Sequence, residues 1–308
     1  MNVLVTGGTG FVGKEIVRQL RIAGHRVHLL ARNPESPAAK EVARQYGAQV
    51  HAGNVLDAKS LWNACAGKDA VIHLVGIISE IGDQTFENVH ERGTRNIIFV
   101  AKDARVKRFI HMSALGTGPE AASRYHQSKW AAEELVRRSS LGWTLFRPSI
   151  IYGPADGFVN QFAQIIRHSP VVPVMGDGRT RFQPVSVKIV AAAFVKALSE
   201  PRAIGETYDL CGEQALTLNE IVNQILEVMQ KGRLKLQVPI GLVRWPVALE
   251  EFVFSRLLHR APPLSRDQLL MLGEDNLGNG FPANELFDLK PIPFSEGIAA
   301  YLKPNRGA

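Results

Sequence analysis

The chain has 308 residues, of which 45% are hydrophobic and 21% are charged, an ordinary globular composition. It contains no apolar run of the roughly 20 residues that span a bilayer, and Cys65 and Cys211 lack the short spacing of a zinc site or disulfide framework. The net charge of +7 comes from basic residues spread along the chain, so nothing indicates a nucleic-acid-binding module. This charge is consistent with a solvated basic surface or with attraction to an anionic ligand or membrane.

The sequence begins with MNVLVTGG, in which an apolar strand pattern starts at residue 2. It lacks the basic stretch, the long apolar run and the small-residue cleavage site of a signal peptide. Together with the cysteine pattern, this predicts a reducing, cytoplasmic location. A peripheral position at the inner face of a membrane is the alternative that the basic charge leaves open.

The first half of the chain alternates apolar strand patterns with single amphipathic helices. Strands separated by one helix each imply right-handed crossovers and a parallel sheet. The predicted fold class is therefore α/β, with a doubly wound parallel sheet of the Rossmann type. The predicted strands are NVLVT (2–6), RVHLLA (26–31), AQVHAGN (48–54), DAVIHLVG (69–76), KRFIHMS (107–113) and GWTLFRPS (142–149).

After about residue 150 the pattern loosens. We predict a dinucleotide-binding domain over residues 1–150 and a smaller, mostly helical lobe over residues 151–308. Some of its segments, such as the strand-like ETYDLCG (206–212), are expected to return to the sheet. Residues 238–260 are amphipathic and interrupted by prolines. They are interpreted either as a lid or core helix of the second lobe, or as a surface that binds a protein or membrane partner.

A glycine-rich loop, TGGTGFVG, joins the first strand to the first helix. Its glycines satisfy both G-x-G-x-x-G and G-x-x-G-x-x-G spacing. Glycine allows the tight turn, the close approach of a pyrophosphate and the close packing of helix on strand. The helix N-terminus directs free N–H groups at the phosphates. The position of this loop in a βαβ unit predicts dinucleotide binding. The predicted contacts in the loop are Gly7, Thr9, Gly10, Phe11, Val12 and Gly13.

The end of the second strand indicates which nucleotide binds. NAD sites commonly place an acid there to accept a hydrogen bond from the ribose 2′-hydroxyl. Here the strand ends at Ala31 and Arg32, without an acid. Because arginine pairs with phosphate by charge-assisted hydrogen bonds, NADP(H) is favoured over NAD(H).

Tyr125 and Lys129 form a Y-x-x-x-K pair on the helix that follows the fifth strand. Residues four apart share one helix face, and the carboxyl ends of strands are where an open α/β sheet places its ligands. A phenol can protonate a carbonyl oxygen that receives a hydride, and a nearby ammonium stabilises the phenolate. We therefore predict Tyr125 as the general acid/base and Lys129 as its electrostatic partner, which also holds the nicotinamide ribose.

The chain resembles an atypical, extended member of the short-chain dehydrogenase/reductase superfamily, the NAD-dependent epimerase/dehydratase group. The matching segments are TGGTGFVG, DAVIHLVG, ERGTRNI, KRFIHMSALG, YHQSK and FRPSIIYGP, and the similarity continues through ETYDLCGEQALTLNEI. The second half most resembles the group containing the NADPH-binding accessory subunit of respiratory complex I and its bacterial relatives. The resemblance implies further dinucleotide contacts at Asn54, Val55, Leu74, Val75 and Gly76.

Three positions depart from the pattern of the superfamily. The hydroxyl that holds the substrate oxygen aligns with Ala114, and Ser113 precedes it, so either Ser113 is the third catalytic residue or the hydroxyl is absent. His90 stands near an asparagine position, and Asn54 replaces an aspartate near the adenine. These departures leave cofactor binding intact and weaken the expectation of vigorous catalysis.

No metal site is predicted, because the nine histidines show no clustered ligand spacing. Arg147 and Pro148 are interpreted as the pocket floor or as structural residues. His126 and Trp130 are interpreted as packing residues or pocket walls. Two functions remain open. The first is an NADP(H)-dependent oxidoreductase or epimerase-type enzyme acting on an unknown small molecule. The second is an NADPH-bound, non-catalytic accessory or assembly protein of a respiratory complex.

Overall fold

Seven parallel strands form the central sheet of this computed structural model, which describes residues 1–252, 254, 262 and 264–303. Their order across the sheet is β3-β2-β1-β4-β5-β6-β11, which confirms the predicted doubly wound fold. The strands are β1 (Asn2–Thr6), β2 (Arg26–Ala31), β3 (Gln49–Ala52), β4 (Ala70–His73), β5 (Arg108–Met112), β6 (Gly142–Pro148) and β11 (Glu206–Leu210).

Helices cover both faces of this sheet. Alternation along β1 shows why: Val3 and Val5 face one helical layer, and Leu4 faces the other. The first layer contains α1 (Phe11–Ile22), α2 (Pro37–Tyr46), α7 (Val187–Ala197) and α11 (Phe281–Leu286). The second contains α3 (Ala58–Cys65), α4 (Gly93–Asp103) and α5 (Arg124–Arg137). Because β11, α7 and α11 follow residue 150, the chain returns to the sheet after its first half.

A second core lies in the C-terminal lobe. It joins α6 (Val159–His168), α8 (Leu218–Val228) and α12 (Phe294–Leu302) through buried residues such as Ile166, Ile221 and Ile298. A capping box of Thr217 and Glu220 starts α8. Three two-stranded pairs complete the lobe: β7 (Ile151–Tyr152) with β10 (Val185–Ser186), β8 (Val171–Met175) with β13 (Leu234–Val238), and β9 (Arg181–Phe182) with β12 (Leu216–Thr217).

Two helical segments depart from a regular α-helix or from the sequence-based expectation. A π-helical turn, Glu87–Arg92, leads directly into α4. Such turns frequently occur at functional sites, and this one carries His90. The segment expected to be interrupted by prolines is a continuous helix, α9 (Ile240–Phe252), which accommodates Pro246. Proline removes the hydrogen bond to the carbonyl of Leu242, and the 72% exposure of Leu242 shows that water reaches this part of the helix.

The C-terminal part of the chain also contains the short helix α10 (Arg266–Leu272). Residues 253 and 255–260 of the predicted partner segment lie outside the described residues. Among the helices that the structure describes, none combines the length and apolarity needed to cross a bilayer.

Candidate functional site

The glycine loop is built so that only glycine fits at two of its positions. Gly7 has a φ of +77°, in the left-handed region that disfavours other residues. A Cβ on Gly13 would lie 2.2 Å from the Gly7 carbonyl oxygen and 2.6 Å from the Gly8 Cα. Helix α1 begins after Gly10 without a capping side chain or an acid in its first turn. Its first N–H groups and the partial positive charge of the helix therefore face outward as an anion site.

A cleft of about 470 Å³ runs from this loop along the carboxyl ends of β2, β3 and β4. A dinucleotide site of this fold is expected at that edge of the sheet. The predicted cofactor residues that line the cleft are Gly7, Thr9, Gly10, Arg32, Asn54, Val55, Leu74, Val75 and Gly76. The structure thus brings together residues from four separate segments of the sequence.

The far end of the cleft is basic and polar. Arg32 is exposed there, and its Nη1 donates to Oε1 of Gln84 at 3.3 Å. Asn33, Ser36 and Gln84 also line this end and were missed from the sequence. A signal existed for Ser36, because it precedes Pro37 and caps α2 by accepting from the N–H of Ala39. Gln84 is 52 residues from Arg32, and nothing local indicates that the two meet.

Six predicted residues are not part of the cleft lining. Three of them, Phe11, Val12 and Gly13, lie in the first turn of α1. Gly13 packs against Gly7, and Val12 is buried in the core. The ring of Phe11 lies against Gly153, where a Cβ would be 3.1 Å from it. These three residues can act only through the first turn of α1. The other three predicted residues are also outside the lining. Helix α5 carries Tyr125 and Lys129, and Ser113 follows β5.

Lys129 adjoins the cleft at Gly76, and Tyr125 contacts the ring of His90, which also lies against Gly76. A Cβ on Gly76 would lie 3.3 Å from His90 Nε2 and 3.9 Å from Lys129 Nζ. Lys129 is buried, and its ammonium donates to the carbonyl oxygen of Met112. The ring of Tyr125 meets those of Phe86, His90 and His126 edge-on, and no residue in the described part of the chain hydrogen-bonds to its hydroxyl. Lys129 therefore adjoins the lining of the cleft, Tyr125 lies against His90 beside it, and no hydrogen bond joins the two side chains.

Burial sets the protonation of both groups. It raises the pKa of Tyr125 to about 12, so the phenol is protonated at neutral pH. Burial also lowers the pKa of Lys129 to about 8, although the charge of Glu133 opposes that shift. At neutral pH the pair is mainly a neutral phenol and an ammonium. In this state Tyr125 can donate a proton but is a poor base.

Three buried histidines surround Lys129. His73 bonds Thr6 Oγ1 at 2.6 Å and Thr94 Oγ1 at 3.2 Å, while His90 Nε2 accepts from the N–H of Ile77 at 3.0 Å. Neither ring nitrogen of His111 has a partner among the residues that the structure describes. Burial, aided by the charge of Lys129, lowers the pKa of His73 to about 3 and that of His90 to about 2, and lowers that of His111 strongly. All three rings are therefore neutral.

Ser113 belongs to a buried ion-pair network. Its hydroxyl donates to Thr117 Oγ1 at 3.5 Å and lies near Glu133, whose pKa it helps to lower. Glu133 is fully buried and pairs with Arg147 and Arg137. The guanidinium groups of Arg147 and Arg137 also lie over the Trp130 ring. Ala114, at the position where the superfamily pattern expects a hydroxyl, is buried and supplies none.

An unpredicted segment, residues 275–279, lies across the carboxyl ends of β6 and β11. Asn276 Nδ2 donates to the Leu115 carbonyl at 3.1 Å, and its Oδ1 accepts from Ser149 Oγ at 2.6 Å. The N–H of Asn279 donates to Asp209 Oδ2 at 3.1 Å. Residues 275–279 therefore cover the ends of β6 and β11, at the edge of the sheet that lies away from the cleft. Within the described residues, no three His, Cys, Asp or Glu side chains group so that they could hold a metal ion.

Comparison with known proteins gives a consistent result. A protein-family profile described as NAD(P)H-binding matches residues 7–201, more than half of the chain. The chain is 29% identical over 280 residues to the Arabidopsis thaliana protein NADH dehydrogenase (ubiquinone) 1 alpha subcomplex subunit 9, mitochondrial, covering 89% of this chain and 70% of that protein. It is 27% identical over 292 residues to photosystem II assembly factor Ycf39 of Synechocystis, covering 94% and 86%.

Among solved structures, UDP-glucuronic acid 4-epimerase from Bacillus cereus, in complex with UDP-glucuronic acid and NAD, superimposes with a TM-score of 0.72. The identity is 18%, and the match covers 98% of this chain and 99% of that one. This likeness concerns the fold. Together with the sequence matches, it confirms the resemblance inferred from the motifs.

Proposed function

Because the chain belongs to the NAD(P)H-binding family, we propose that it binds NADP(H) in the cleft and keeps it as a resident ligand in an accessory or assembly role. The first-turn N–H groups of α1 would hold the pyrophosphate, and Arg32 would pair with the 2′-phosphate. Lys129 would hold the nicotinamide ribose, and Tyr125 would lie beside it. The close packing of Gly13 on Gly7 and Gly8 supports binding of the pyrophosphate here, since the loop leaves no room for a side chain at position 13.

The observation that carries the accessory role is the residue Ala114, which is buried and supplies no hydroxyl at the position where the superfamily pattern expects one. The neighbouring Ser113 is itself buried, with its hydroxyl directed to Thr117 Oγ1 at 3.5 Å, so neither residue offers a free hydroxyl to hold a substrate oxygen. Two relatives point the same way: one is named as a subunit of NADH dehydrogenase and the other as an assembly factor. With this role we propose a cytoplasmic location, peripheral to the inner face of a membrane.

The test begins with the purified protein as expressed. Mass spectrometry of the nucleotide released on denaturation should identify NADPH or NADP⁺. A ligand that binds the native state alone stabilises it by RT ln(1 + [L]/Kd), so added NADPH should raise Tm more than added NADH. A screen of carbonyl and nucleotide-sugar substrates should show no consumption of the bound NADPH. Absence of any dinucleotide, together with an unchanged Tm, would overturn the proposal.

The position of Lys129 next to Gly76, with Tyr125 against the neighbouring His90, favours a second function, hydride transfer to a small carbonyl or hydroxyl compound. The dinucleotide, when bound, supplies or accepts the hydride. Tyr125 would protonate the substrate oxygen, a role that its neutral phenol suits. An ammonium about 4 Å away would stabilise the resulting phenolate by ~4 kcal/mol at an effective dielectric of about 20, before the cost of desolvating lysine.

The same substrate screen separates the two functions. If a substrate is found, Tyr125→Phe should lower kcat by roughly 10²- to 10⁴-fold, the usual value of a general acid, without changing nucleotide affinity. Tyr46→Phe, on α2, is the matched control. Turnover that survives in Tyr125→Phe would remove the catalytic assignment.

A further inference from the structure

The loop that follows β4 contains a tight turn at the edge of the nucleotide cleft. Ile81 and Gln84 exchange both of their backbone hydrogen bonds, at 3.1 and 2.9 Å, and Gly82 between them has a φ of +53°. A two-residue turn of this kind favours glycine, because its first central residue takes a positive φ. The carbonyl of Asp83 also accepts from Asn88 Nδ2 at 2.9 Å. These bonds fix the position of Gln84.

A second set of contacts holds the same loop against α5. Glu80 Oε1 accepts from the N–H of Phe86 at 2.8 Å, and the Glu80 carboxylate pairs with Arg124 at 2.9 Å. The guanidinium of Arg124 also lies over the Phe86 ring, 5.9 Å from its centroid. Residues 80 and 86 flank the turn, so these contacts close its base. The turn that carries Gln84 is therefore a built part of the cleft wall.

Gln84 and Arg32 approach each other from the two sides of the glycine loop. Strand β1 lies between β2 and β4 in the sheet, Arg32 follows β2, and Gln84 belongs to the loop after β4. Gln84 Oε1 accepts from Arg32 Nη1 at 3.3 Å. In the part of the chain that the structure describes, no residue accepts a hydrogen bond from Gln84 Nε2. The side-chain amide therefore has donors available to a ligand in the cleft.

The charge at this corner of the cleft suits an anionic group. Among the described residues, Arg32 is the one charged residue of the lining, which contains no carboxylate. The acids nearest in sequence, Glu35 and Asp83, are exposed and outside the lining, and Glu35 pairs with Lys40 at 2.7 Å. Helix α2 begins here after Ser36, with no acid in its first turn, so its partial positive charge adds to that of Arg32.

We propose that Gln84 is a specificity-determining residue that distinguishes the 2′-phosphate of NADP(H) from the 2′-hydroxyl of NAD(H), an inference that rests on the nucleotide binding proposed above. A phosphate oxygen replaces Gln84 Oε1 on Arg32 Nη1, and the side-chain amide turns to donate from Nε2 to a second phosphate oxygen. This contact favours the phosphate, because hydrogen bonds to a charged group are stronger than those between neutral groups. With NAD(H), the amide keeps its bond to Arg32 and adds little to the affinity.

Calorimetric titration of the full chain with NADPH, NADH and adenosine 2′,5′-bisphosphate tests this role. Gln84→Leu removes the amide donors and should weaken the binding of NADPH and of the bisphosphate roughly 10-fold. Gln84→Glu keeps the size of glutamine but sets a carboxylate against the phosphate, so the loss should be larger, roughly 100-fold. The affinity for NADH should change less than about 3-fold in both variants. Gln49→Glu adds the same charge at an exposed position at the amino end of β3 and should change none of the three constants.

The order of the two variants separates specificity from a structural role. A side chain that only shapes the wall would tolerate Gln84→Glu better than Gln84→Leu, because glutamate has the shape of glutamine, and that order would overturn the inference. Equal losses for NADPH and NADH would also overturn it. If Arg32→Ala removes the preference for NADPH while Gln84→Glu leaves it intact, the assignment of Gln84 fails and the nucleotide proposal stands. A wild-type protein that binds neither dinucleotide refutes both.

Discussion

Glu133 and Arg147 meet in two hydrogen bonds, from Nε to Oε1 at 2.8 Å and from Nη2 to Oε2 at 2.6 Å, with the carboxylate fully buried. Burial by itself would raise the pKa of Glu133, but hydrogen bonds from Arg147 and Ser113 and the nearby positive charges lower it. This network holds the inner face of α5 against β6. It therefore determines where Lys129, one helical turn earlier, can lie.

Replacing Glu133 by glutamine should destabilise the fold by ~3–5 kcal/mol, because Arg147 and Arg137 would be left near a neutral group in a buried site. Urea unfolding at neutral pH measures the loss. Glu134→Gln is the matched control, since Glu134 pairs with Arg137 and Arg138 at a partly exposed position and should cost less than ~1 kcal/mol. Equal losses in the two variants would contradict a buried network.

The neutral histidines predict sensitivity to acid. The pKa of His111 in the folded chain is well below its ordinary value of 6.5, because of burial and the charge of Lys129. Below pH 6.5, His111 binds a proton in the unfolded chain but not in the folded chain. The stability contributed by the neutral ring is thus present above that pH and falls as the pH drops, by up to ~1.4 kcal/mol per pH unit for each such histidine.

His111→Phe should remove one of these contributions. The ring stacks on His73 and Phe109 and its nitrogens have no partner among the described residues, so phenylalanine keeps the ring contacts and loses no hydrogen bond seen there. Urea unfolding at pH 8 and at pH 5 should show a smaller drop for the variant than for the wild type. His168→Phe, at an exposed position, should leave the drop unchanged. A variant as acid-sensitive as the wild type would show that His111 does not titrate as proposed.

Gly13→Ala should displace the phosphate loop. The new methyl group would lie 2.2 Å from the Gly7 carbonyl oxygen, a backbone atom that cannot rotate away. We expect a loss of ~1–3 kcal/mol in the free energy of unfolding and a parallel loss of nucleotide affinity. Thermal unfolding with and without NADPH measures both. Gly157→Ala is the control, because nothing lies within 4 Å of its Cβ position. Full NADPH stabilisation in Gly13→Ala would contradict the assignment of this loop.

Arg32→Ala tests the preference between nucleotides. Hydrogen bonds to a charged group are worth ~1.5–3 kcal/mol, so the affinity for NADPH should fall roughly 10- to 150-fold while that for NADH changes little. Calorimetric titration with each nucleotide measures the two constants. Arg26→Ala changes an exposed arginine at the opposite end of β2 and should alter neither. Equal losses for NADPH and NADH would assign Arg32 to the shared part of the two molecules.

The residues that line the cleft show which contacts can be predicted from short stretches of sequence. Gly7, Gly10 and Arg32 were predicted because a strand, a glycine spacing and a strand end are visible in a short window of sequence. Gln84 was missed because its contact with Arg32 depends on a loop that follows another strand. Asn276 was missed for the same reason, since it is 127 residues from Ser149.

The sequence by itself determined the alternation of strands and helices, the parallel sheet and the glycine loop, because these depend on periodicity and on the backbone freedom of glycine at particular positions. Only the tertiary structure decided that Arg147 meets Glu133, that β11 joins the sheet beside β6, and that Leu234 and Leu236 are exposed. Each of these depends on which distant residues come into contact. Hydrophobic periodicity marks a face as apolar, but packing between distant segments decides whether that face is covered.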